Sequence, residues 1–422
     1  MMKKAVVVSL FALVFSPLVF SVSHADNAEV LPKGVTRAGI ESKFYSPIDE
    51  RYNDKGDSED VATDFNATLG SNVFSDLSFV ETAFAMPTGS ANVGRSLVSF
   101  EYEFDIHEFY ALHGLTDRLT VGIKIPYWDV KNKVKTRLDA SSATVGKSAI
   151  GVAFGAPLVP LAGGGPFGDA VPLTEADVQN LLGGGLDVNS DGIMDIPGFG
   201  YDRIESWSDR KLSDIEAGLR YQYLKTEDWR LAFTGAVRFP TGEFSDPDSL
   251  VDYPFGGEAW AFLFYFNNDY IGIKNLVLDA TFEYELILPH HQKRRVLTDV
   301  NVPITIHKEN VRINPGDRME VNASATYELL KGLSFYLYYE YGLTMKDEVS
   351  GDLGLSYEAL EEETRIKEHV YKVGLSYSTI ALYQEKKFPV PLEASVSYRN
   401  RFDGKNNVLA SEYIQFGIHV YF

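Results

Sequence analysis

Cysteine is absent from all 422 residues. In an exported chain that removes disulfide frameworks and thiolate chemistry, and a periplasmic or outer-membrane address tolerates it. Long apolar runs are missing too. After the first segment none approaches the roughly 18 consecutive apolar residues of a membrane helix, which excludes a helical membrane protein. Positive charge is scarce: 39 Lys and Arg stand against 59 Asp and Glu, a formal net charge of −20. Nucleic-acid binding needs a basic face and is a poor fit. The eight His residues form no spaced Ser/His motif. Nothing therefore argues for a hydrolase, which would need a nucleophile and base converging at one rim, and the chain reads as a non-enzyme.

What is present begins at the amino end. Lys3 and Lys4 precede the apolar run AVVVSLFALVFSPLVF, and small residues follow at Ser23 and Ala25. This is the secretory signature, predicting a signal peptide over 1–25 and a mature chain starting near Asp26. The run is broken by Pro17 and is shorter than the roughly 20 residues that span a bilayer. Aromatics are plentiful (24 Tyr, 27 Phe, 4 Trp), yet mean hydropathy is slightly negative. Strands that alternate between lipid and a polar lumen produce that combination.

The alternation is sharpest at the carboxyl end. In EYIQFGIHVYF, Ile414, Phe416, Ile418, Val420 and Phe422 share one face, and Gln415, Gly417, His419 and Tyr421 the other. The set Gln415, Gly417, Val420 and terminal Phe422 resembles the recognition signal of outer-membrane barrels, which implies the barrel assembly machinery as a partner. The same period of two recurs over 98–107, 214–223, 276–286, 319–327 and 333–343. Segments long enough for a tilted membrane strand lie near 35–45, 96–109, 118–128, 212–224, 230–240, 258–267, 276–288, 317–329, 333–345, 366–378, 391–402 and 412–422. Short turns fall at Gly114–Asp117, Lys225–Trp229 and Leu330–Gly332, with long polar loops between the alternate pairs. The expected fold is all-β: a single antiparallel transmembrane β-barrel of about twelve strands, within two, with short periplasmic turns and long extracellular loops. It occupies 26–422, in the outer membrane of a Gram-negative cell.

Two insertions interrupt it, 46–95 and 129–211. The second contains AIGVAFGAPLVPLAGGGPFG (149–168), too apolar to sit fully in water. This segment is expected to pack over or into the barrel mouth and gate access; the rival is a contact with a partner or a second copy. A short helix follows, capped by Thr174 with Asp177 and ended at Gly183.

Asp187, Asn189, Asp191, the backbone of Ile193 and Asp195, with Gly192 at the turn, match the spacing of a calcium loop. The position that should carry a bidentate carboxylate holds Gly198 instead. The alternatives are a weak Ca2+ site that stiffens an extracellular loop and a surface turn that binds nothing; no cofactor is required. Inward-facing charges are assigned to the lumen: Glu101, Glu103, Asp105, Arg220, Arg238, Glu283, Glu285, Glu320, Glu328, Glu340, Lys372, Arg399 and Arg401. They either neutralise one another across a packed interior or form a polar path for solutes. The run His290-His291-Gln292-Lys293-Arg294-Arg295 lies in an outer loop, where it either pairs with lipopolysaccharide phosphates or is a solvated charge run.

The blocks YALHGLTDRLTVGIKIPY (110–127), KLSDIEAGLRYQYL (211–224) and LAFTGAVRFPTGEF (231–244) resemble those of outer-membrane proteins linked to the MetA pathway of phenol degradation, in the same order. They cover about a third of the chain; the first insertion and the calcium-like loop are not part of that pattern. The resemblance implies a barrel that passes hydrophobic or aromatic compounds. Two functions are therefore carried forward: an outer-membrane channel for passive uptake of small, hydrophobic or aromatic, solutes, and a surface-exposed structural or adhesion barrel with a plugged lumen.

Overall fold

The computed structural model describes residues 27–162, 167–299 and 302–422, and the signal peptide expected over 1–25 lies outside them. Twelve antiparallel strands make the barrel: β1 (Thr36–Tyr45), β2 (Asn92–Thr116), β3 (Leu119–Asp139), β4 (Ile215–Lys225), β5 (Trp229–Phe239), β6 (Ala261–Ile273), β7 (Leu276–Ile287), β8 (Arg318–Leu330), β9 (Leu333–Thr344), β10 (Lys367–Ser378), β11 (Leu392–Lys405) and β12 (Glu412–Tyr421). Each pairs with the next, and β12 returns to β1 with Tyr421 opposite Arg37 and Tyr413 opposite Tyr45. Closure is what lipid demands, because a free sheet edge there would leave its N–H and C=O groups unsatisfied. Among the described residues no helix is long and apolar enough to cross a membrane.

Every strand overlaps its expected segment. Two-residue turns, with Asn275 and Gly332 at positive φ, join β6 to β7 and β8 to β9, the conformation tight hairpins require. The two-residue period sorts the side chains as expected through the membrane. On β12, Ile414, Phe416 and Ile418 are 47, 50 and 55% exposed, whereas Gln415 and His419 are 5 and 2% exposed. Val420 and Phe422 point outward with the first set, and Gly417 inward with the second.

The hairpin β2–β3 departs from expectation. Its strands run 25 and 21 residues; at about 3.3 Å per residue β2 is about 80 Å long, far more than a bilayer needs. The outer half stands clear of the barrel as the spine of an external cap. Here the expected orientation is reversed. Glu41 of β1, fully buried inside, faces Glu108 of β2, so even-numbered residues of β2 point inward. Phe100, Tyr102, Phe104 and Ile106 are accordingly buried, and Glu101, Glu103 and Asp105 lie on the outer surface rather than in the lumen. The physical reason is the solvent. Above the membrane the outside is water, so the apolar face turns in and the charged face turns out. Glu101 and Glu103 meet Lys133 of β3 at 2.7 and 2.5 Å.

The cap core joins this apolar face to Val61, Phe65, Phe74 and Leu77 of the first insertion and to Leu181, Leu182 and Tyr201 of the second. The helix Glu175–Leu182 has the expected reciprocal cap between Thr174 and Asp177, with Gly183 at its end. A satellite sheet of His290–Arg295, Lys308–Asn314 and Glu348–Ser350 stands beside the core. Asp347 anchors it by accepting the Gly316 N–H at 2.8 Å.

Two predictions follow from this arrangement. Leu337 on β9 is half-exposed toward lipid; Leu337→Arg should lower the unfolding free energy in bilayers by roughly 2–4 kcal/mol, measured by denaturant titration. Burial, reinforced by Glu361, pushes the Asp347 carboxyl up to about 6 from 3.8. Between those values the folded state holds a proton that the unfolded state has released, so local stability falls as pH rises through that window and is level above it. Amide protection around 345–350, corrected for intrinsic exchange, should be greater at pH 5 than at pH 7, and the difference should vanish in Asp347→Asn.

Candidate functional site

Inward-facing charge is packed into the barrel interior, much of it in ion pairs between strands, alongside carboxylates that face each other such as Glu283 and Glu320. Lys43 of β1 meets Glu108 of β2 at 2.5 Å. Lys124 of β3 meets Glu216 of β4 at 2.7 Å, and Glu216 also takes Arg238 of β5 at 2.9 Å. Arg238 continues to Glu285 of β7. On the far wall Arg318 of β8 meets Glu368 of β10 at 2.9 Å, and Glu368 meets Arg401 of β11 at 2.7 Å. Arg399 reaches Glu340 at 3.4 Å. The result is a belt of ion pairs around the inner wall. A single buried charge costs several kcal/mol to dehydrate; at an effective dielectric of 20, a partner about 4 Å away returns roughly 4 kcal/mol. Each member is tolerable only beside its opposite.

Below the belt, at the short-turn end, the chain before β1 enters the lumen. Ala28 is fully buried. Its N–H donates to Asp269 Oδ1 at 2.7 Å, and its carbonyl accepts from Gln222 Nε2 at 2.7 Å. The Asn27 carbonyl accepts from Arg220 Nη1 at 2.7 Å, and Leu31 N–H donates to Thr120 Oγ1 at 2.8 Å. These are sequence-distant partners satisfying backbone groups that would otherwise lie buried without hydrogen bonds.

Above the belt the interior changes character. Tyr45, Tyr413, Phe104, Tyr102 and Trp128 line an aromatic mouth, and the connection between β5 and β6 dips into it. Tyr253 stacks edge-on against Phe104 at 4.9 Å and lies 5.9 Å from Tyr102 and 6.2 Å from Trp128. The carbonyl of Val251 is held twice, by Trp207 Nε1 at 2.7 Å and Asn132 Nδ2 at 3.2 Å. The described part of the segment 149–168, expected over or in the mouth, packs on the cap, with Leu158 in the cap core. Its short strand Leu158–Pro160 pairs with Val145–Lys147, just past the end of β3, and Phe154 is 73% exposed.

Of the residues assigned to the lumen, Arg238, Glu283, Glu285, Glu320, Glu340, Lys372, Arg399 and Arg401 are buried inside the barrel. Arg220 holds Asn27, and Glu328 sits at the short-turn rim accepting the Gly332 N–H. Glu101, Glu103 and Asp105 are outside, as described. Sequence reasoning missed Glu41, Lys43, Glu108, Lys124, Arg318 and Glu368. Glu41 and Lys43 carried a usable signal, since they alternate with Ile40, Ser42 and Phe44 on β1. Glu108 and Lys124 carried the opposite one, because the inverted face of β2 disguised the parity of both hairpin strands.

The calcium-like loop folds on its own backbone. Asp187 accepts from Ser190 and Gly192 N–H at 2.7 and 2.8 Å, and Asn189 from Asp191 N–H at 3.0 Å. Asp191 accepts from Ile193 N–H at 2.8 Å, and Asp195 from Val188 N–H at 2.7 Å. Among the described residues no group of three or more His, Asp or Glu is arranged to hold a metal ion. The basic run at 290–295 is also less available than expected. Arg294 is paired with Glu258 at 2.6 Å. Arg295 is buried over the Tyr201 ring, bonded to Asp248 and to the carbonyls of Phe199 and Thr305. It joins three loops of the cap rather than facing outward.

No protein-family profile matches the sequence, and no curated protein matches it either. The fold is similar to that of an outer membrane channel from Pseudomonas putida F1, at a TM-score of 0.53 and 11% identity, over 95% of this chain and 100% of that one. Two more distant barrels also align. One is the translocator domain of the autotransporter NalP from Neisseria meningitidis (TM-score 0.36, 5% identity, 93 and 90% coverage). The other is the toluene transporter TbuX of Ralstonia pickettii (TM-score 0.34, 9% identity, 94 and 92% coverage). The likeness to the first of these, at 11% identity, bears on the fold alone.

The outward placement of Glu101 and Glu103 makes a direct prediction. Glu101→Gln with Glu103→Gln should change stability by no more than about 1 kcal/mol, as exposed ion pairs do. Single-channel conductance in planar bilayers should stay at its wild-type value, whereas truncating a true lumen charge would alter it.

Proposed function

We propose that the chain is an outer-membrane channel for the passive uptake of small solutes, hydrophobic or aromatic ones above all, described here in a closed state. The observation that carries the reading is the change of chemistry along the barrel axis. An aromatic mouth, filled by a loop segment rather than by the barrel wall, stands directly above a polar interior. A filling of loop residues can withdraw; a filling of wall residues cannot. The aromatic rings offer a solute with a π-face favourable contacts before it meets the ion pairs.

In this reading the chain is exported behind a signal peptide cleaved near Ala25. Gln415, Gly417, Val420 and Phe422 present the strand that the assembly machinery reads, and lipid and lipopolysaccharide surround the finished barrel. No cofactor takes part. Calcium at 187–195 would stiffen an exposed turn and leave passage untouched. Access is controlled by 250–255 in place of the segment 149–168.

The packed interior and the buried Ala28 favour the second reading, a structural or adhesion barrel with a plugged lumen, and flux separates the two. Protein refolded into liposomes is compared for passage of glucose and benzenesulfonate, an aromatic whose permanent charge keeps it from crossing bare lipid. Benzenesulfonate should pass faster than glucose, and Tyr253→Ala with Phe255→Ala, whose ring is buried 6.4 Å from that of Trp128, should raise its flux severalfold. Equal passage of both solutes would indicate a general pore. No flux from either protein would leave the plugged barrel as the better account.

A further inference from the structure

One register row of the inner wall is electrostatically incomplete. Tyr338 of β9, Lys372 of β10, Arg399 of β11, Tyr413 of β12 and Tyr45 of β1 stand directly opposite one another on successive strands. All are buried inside the barrel. Every other buried lysine or arginine among the described residues has a carboxylate at ion-pairing distance. Lys372, 5% exposed, has none and makes no hydrogen bond among the described residues. Its ammonium lies over the rings of Tyr338 at 4.9 Å and Tyr336 at 5.9 Å. We propose that Lys372 and Arg399 form a binding site for the acid group of a small aromatic monoanion, a carboxylate or sulfonate carried on a single ring.

Lys372 and Arg399 are like charges directly opposed across β10 and β11, an arrangement that destabilises a strand pair, and each is costly to dehydrate without a partner. Arg399 is loosely held. Its one ion pair among the described residues is with Glu340 at 3.4 Å, and its guanidinium lies 5.6 Å from the centre of the Tyr413 ring. Arg401, on the same strand, meets Glu368 at 2.7 Å and donates to the Leu409 carbonyl at 2.9 Å and the Ser411 hydroxyl at 3.2 Å. A guanidinium has five N–H donors, so Arg399 keeps most of its fork for another acceptor. The carboxylates around Lys372 are engaged elsewhere. Glu340 accepts from the Tyr338 hydroxyl at 2.9 Å, Glu41 from Gln415 at 2.5 Å, and Glu108 is paired with Lys43. At the end of the row the Tyr45 hydroxyl is buried with no hydrogen-bond partner among the described residues. An ammonium, the open part of a guanidinium and a hydroxyl are all donors, and an anionic oxygen is the acceptor that suits them.

Charge sets the valence of the ligand. Lys372 and Arg399 with Glu340 sum to one positive charge, which a monoanion balances and a dianion exceeds. The ring follows from the position of the row. Tyr45 belongs both to it and to the mouth, its ring standing 4.6 Å from that of Tyr413 and 5.7 Å from that of Phe104. A solute that enters past Phe104 therefore meets aromatic surface as far as the two cations. Its ring can lie against Tyr45 and Tyr413 while its acid group reaches Arg399 and Lys372.

The inference deepens the uptake reading by naming what the lumen recognises, and it rests on that reading for the part the site plays in passage. The test is titration of the refolded full-length protein in neutral detergent with 4-fluorobenzenesulfonate, followed by 19F line broadening. The Tyr253→Ala, Phe255→Ala protein is titrated in parallel, so that a closed mouth does not hide the site. Saturable broadening should appear in at least one of the two. In that background Lys372→Met, which keeps the length of the side chain and removes its charge, should weaken binding about tenfold or more. Lys372→Gln should do the same, and Lys372→Arg should keep binding. Benzenesulfonate should displace the probe, and methanesulfonate, which has the acid group and no ring, should do so about tenfold less well. Circular dichroism and heat-dependent gel mobility report whether each variant has closed its barrel. No saturable broadening in either background overturns the site, as does binding undiminished in a folded neutral variant. Equal displacement by methanesulfonate overturns the aromatic part of the assignment. Equilibrium binding needs no passage: flux without binding sinks this site alone, and binding without flux sinks the uptake reading alone.

Discussion

A side chain on a barrel strand has two directions open to it, and closing the sheet settles the choice for every residue together. One residue of slip between β12 and β1 would invert one of the two strands, carrying either Glu41 and Lys43 to the lipid, or Gln415 and His419 there with Ile414, Phe416 and Ile418 turned inside. The ion pairs of the inner wall depend on that parity. Lys124, Glu216 and Arg238 stand on three consecutive strands at directly opposed positions, so their contacts exist because the register does. Lipid outside and ion pairing inside thus select the same alignment independently. That agreement between levels is what allows a chain with few long apolar stretches to specify one membrane fold.

The strands through the membrane were legible because lipid and lumen impose opposite demands at every second residue. The last strand shows this best: its polar residues are inward and its branched and aromatic residues outward. The same rule misplaced Glu101, Glu103 and Asp105 because period alone reports that two faces differ, not which of them meets water. Above the bilayer the apolar face of β2 has a cap core to join, and only loops distant in sequence reveal that core. For the same reason the mouth was assigned to 149–168, the most apolar loop. Val251 and Tyr253 come from an acidic, proline-containing connection with no comparable apolar run, and their position is set by Trp207 and Asn132, far away in the chain. Arg294 and Arg295 were similarly hidden, since a basic run carries no mark of the carboxylates and carbonyls that will surround it.

The cap changes what the barrel can be. A hairpin that continues unbroken from the wall into the cap gives the two parts a common rigid element, and the cap core is assembled on the inward face of that hairpin. The segment 250–255 touches both: its first residue, Leu250, is packed in the cap core, and Tyr253 and Phe255 stand against the rings of the mouth. Arg295, by gathering carbonyls from separate loops around one guanidinium, limits how far those loops can drift apart. The segment is tied at several points, by Trp207 and Asn132 at the Val251 carbonyl, by the Asp246 N–H at Asp252 and by its own Phe255 N–H to the Glu243 carbonyl.

The belt of ion pairs also bears on how the barrel comes into being. Removing any one strand from the wall strands a charge: without β2, Lys43 loses Glu108, and without β10, Arg318 and Arg401 both lose Glu368. A partly inserted sheet would therefore hold naked charge in a medium of low dielectric, at several kcal/mol for each group. Such intermediates are poor resting points in either direction. Once closed, the barrel should be long-lived for kinetic reasons, its persistence set by the height of that electrostatic pass rather than by the depth of the valley it occupies.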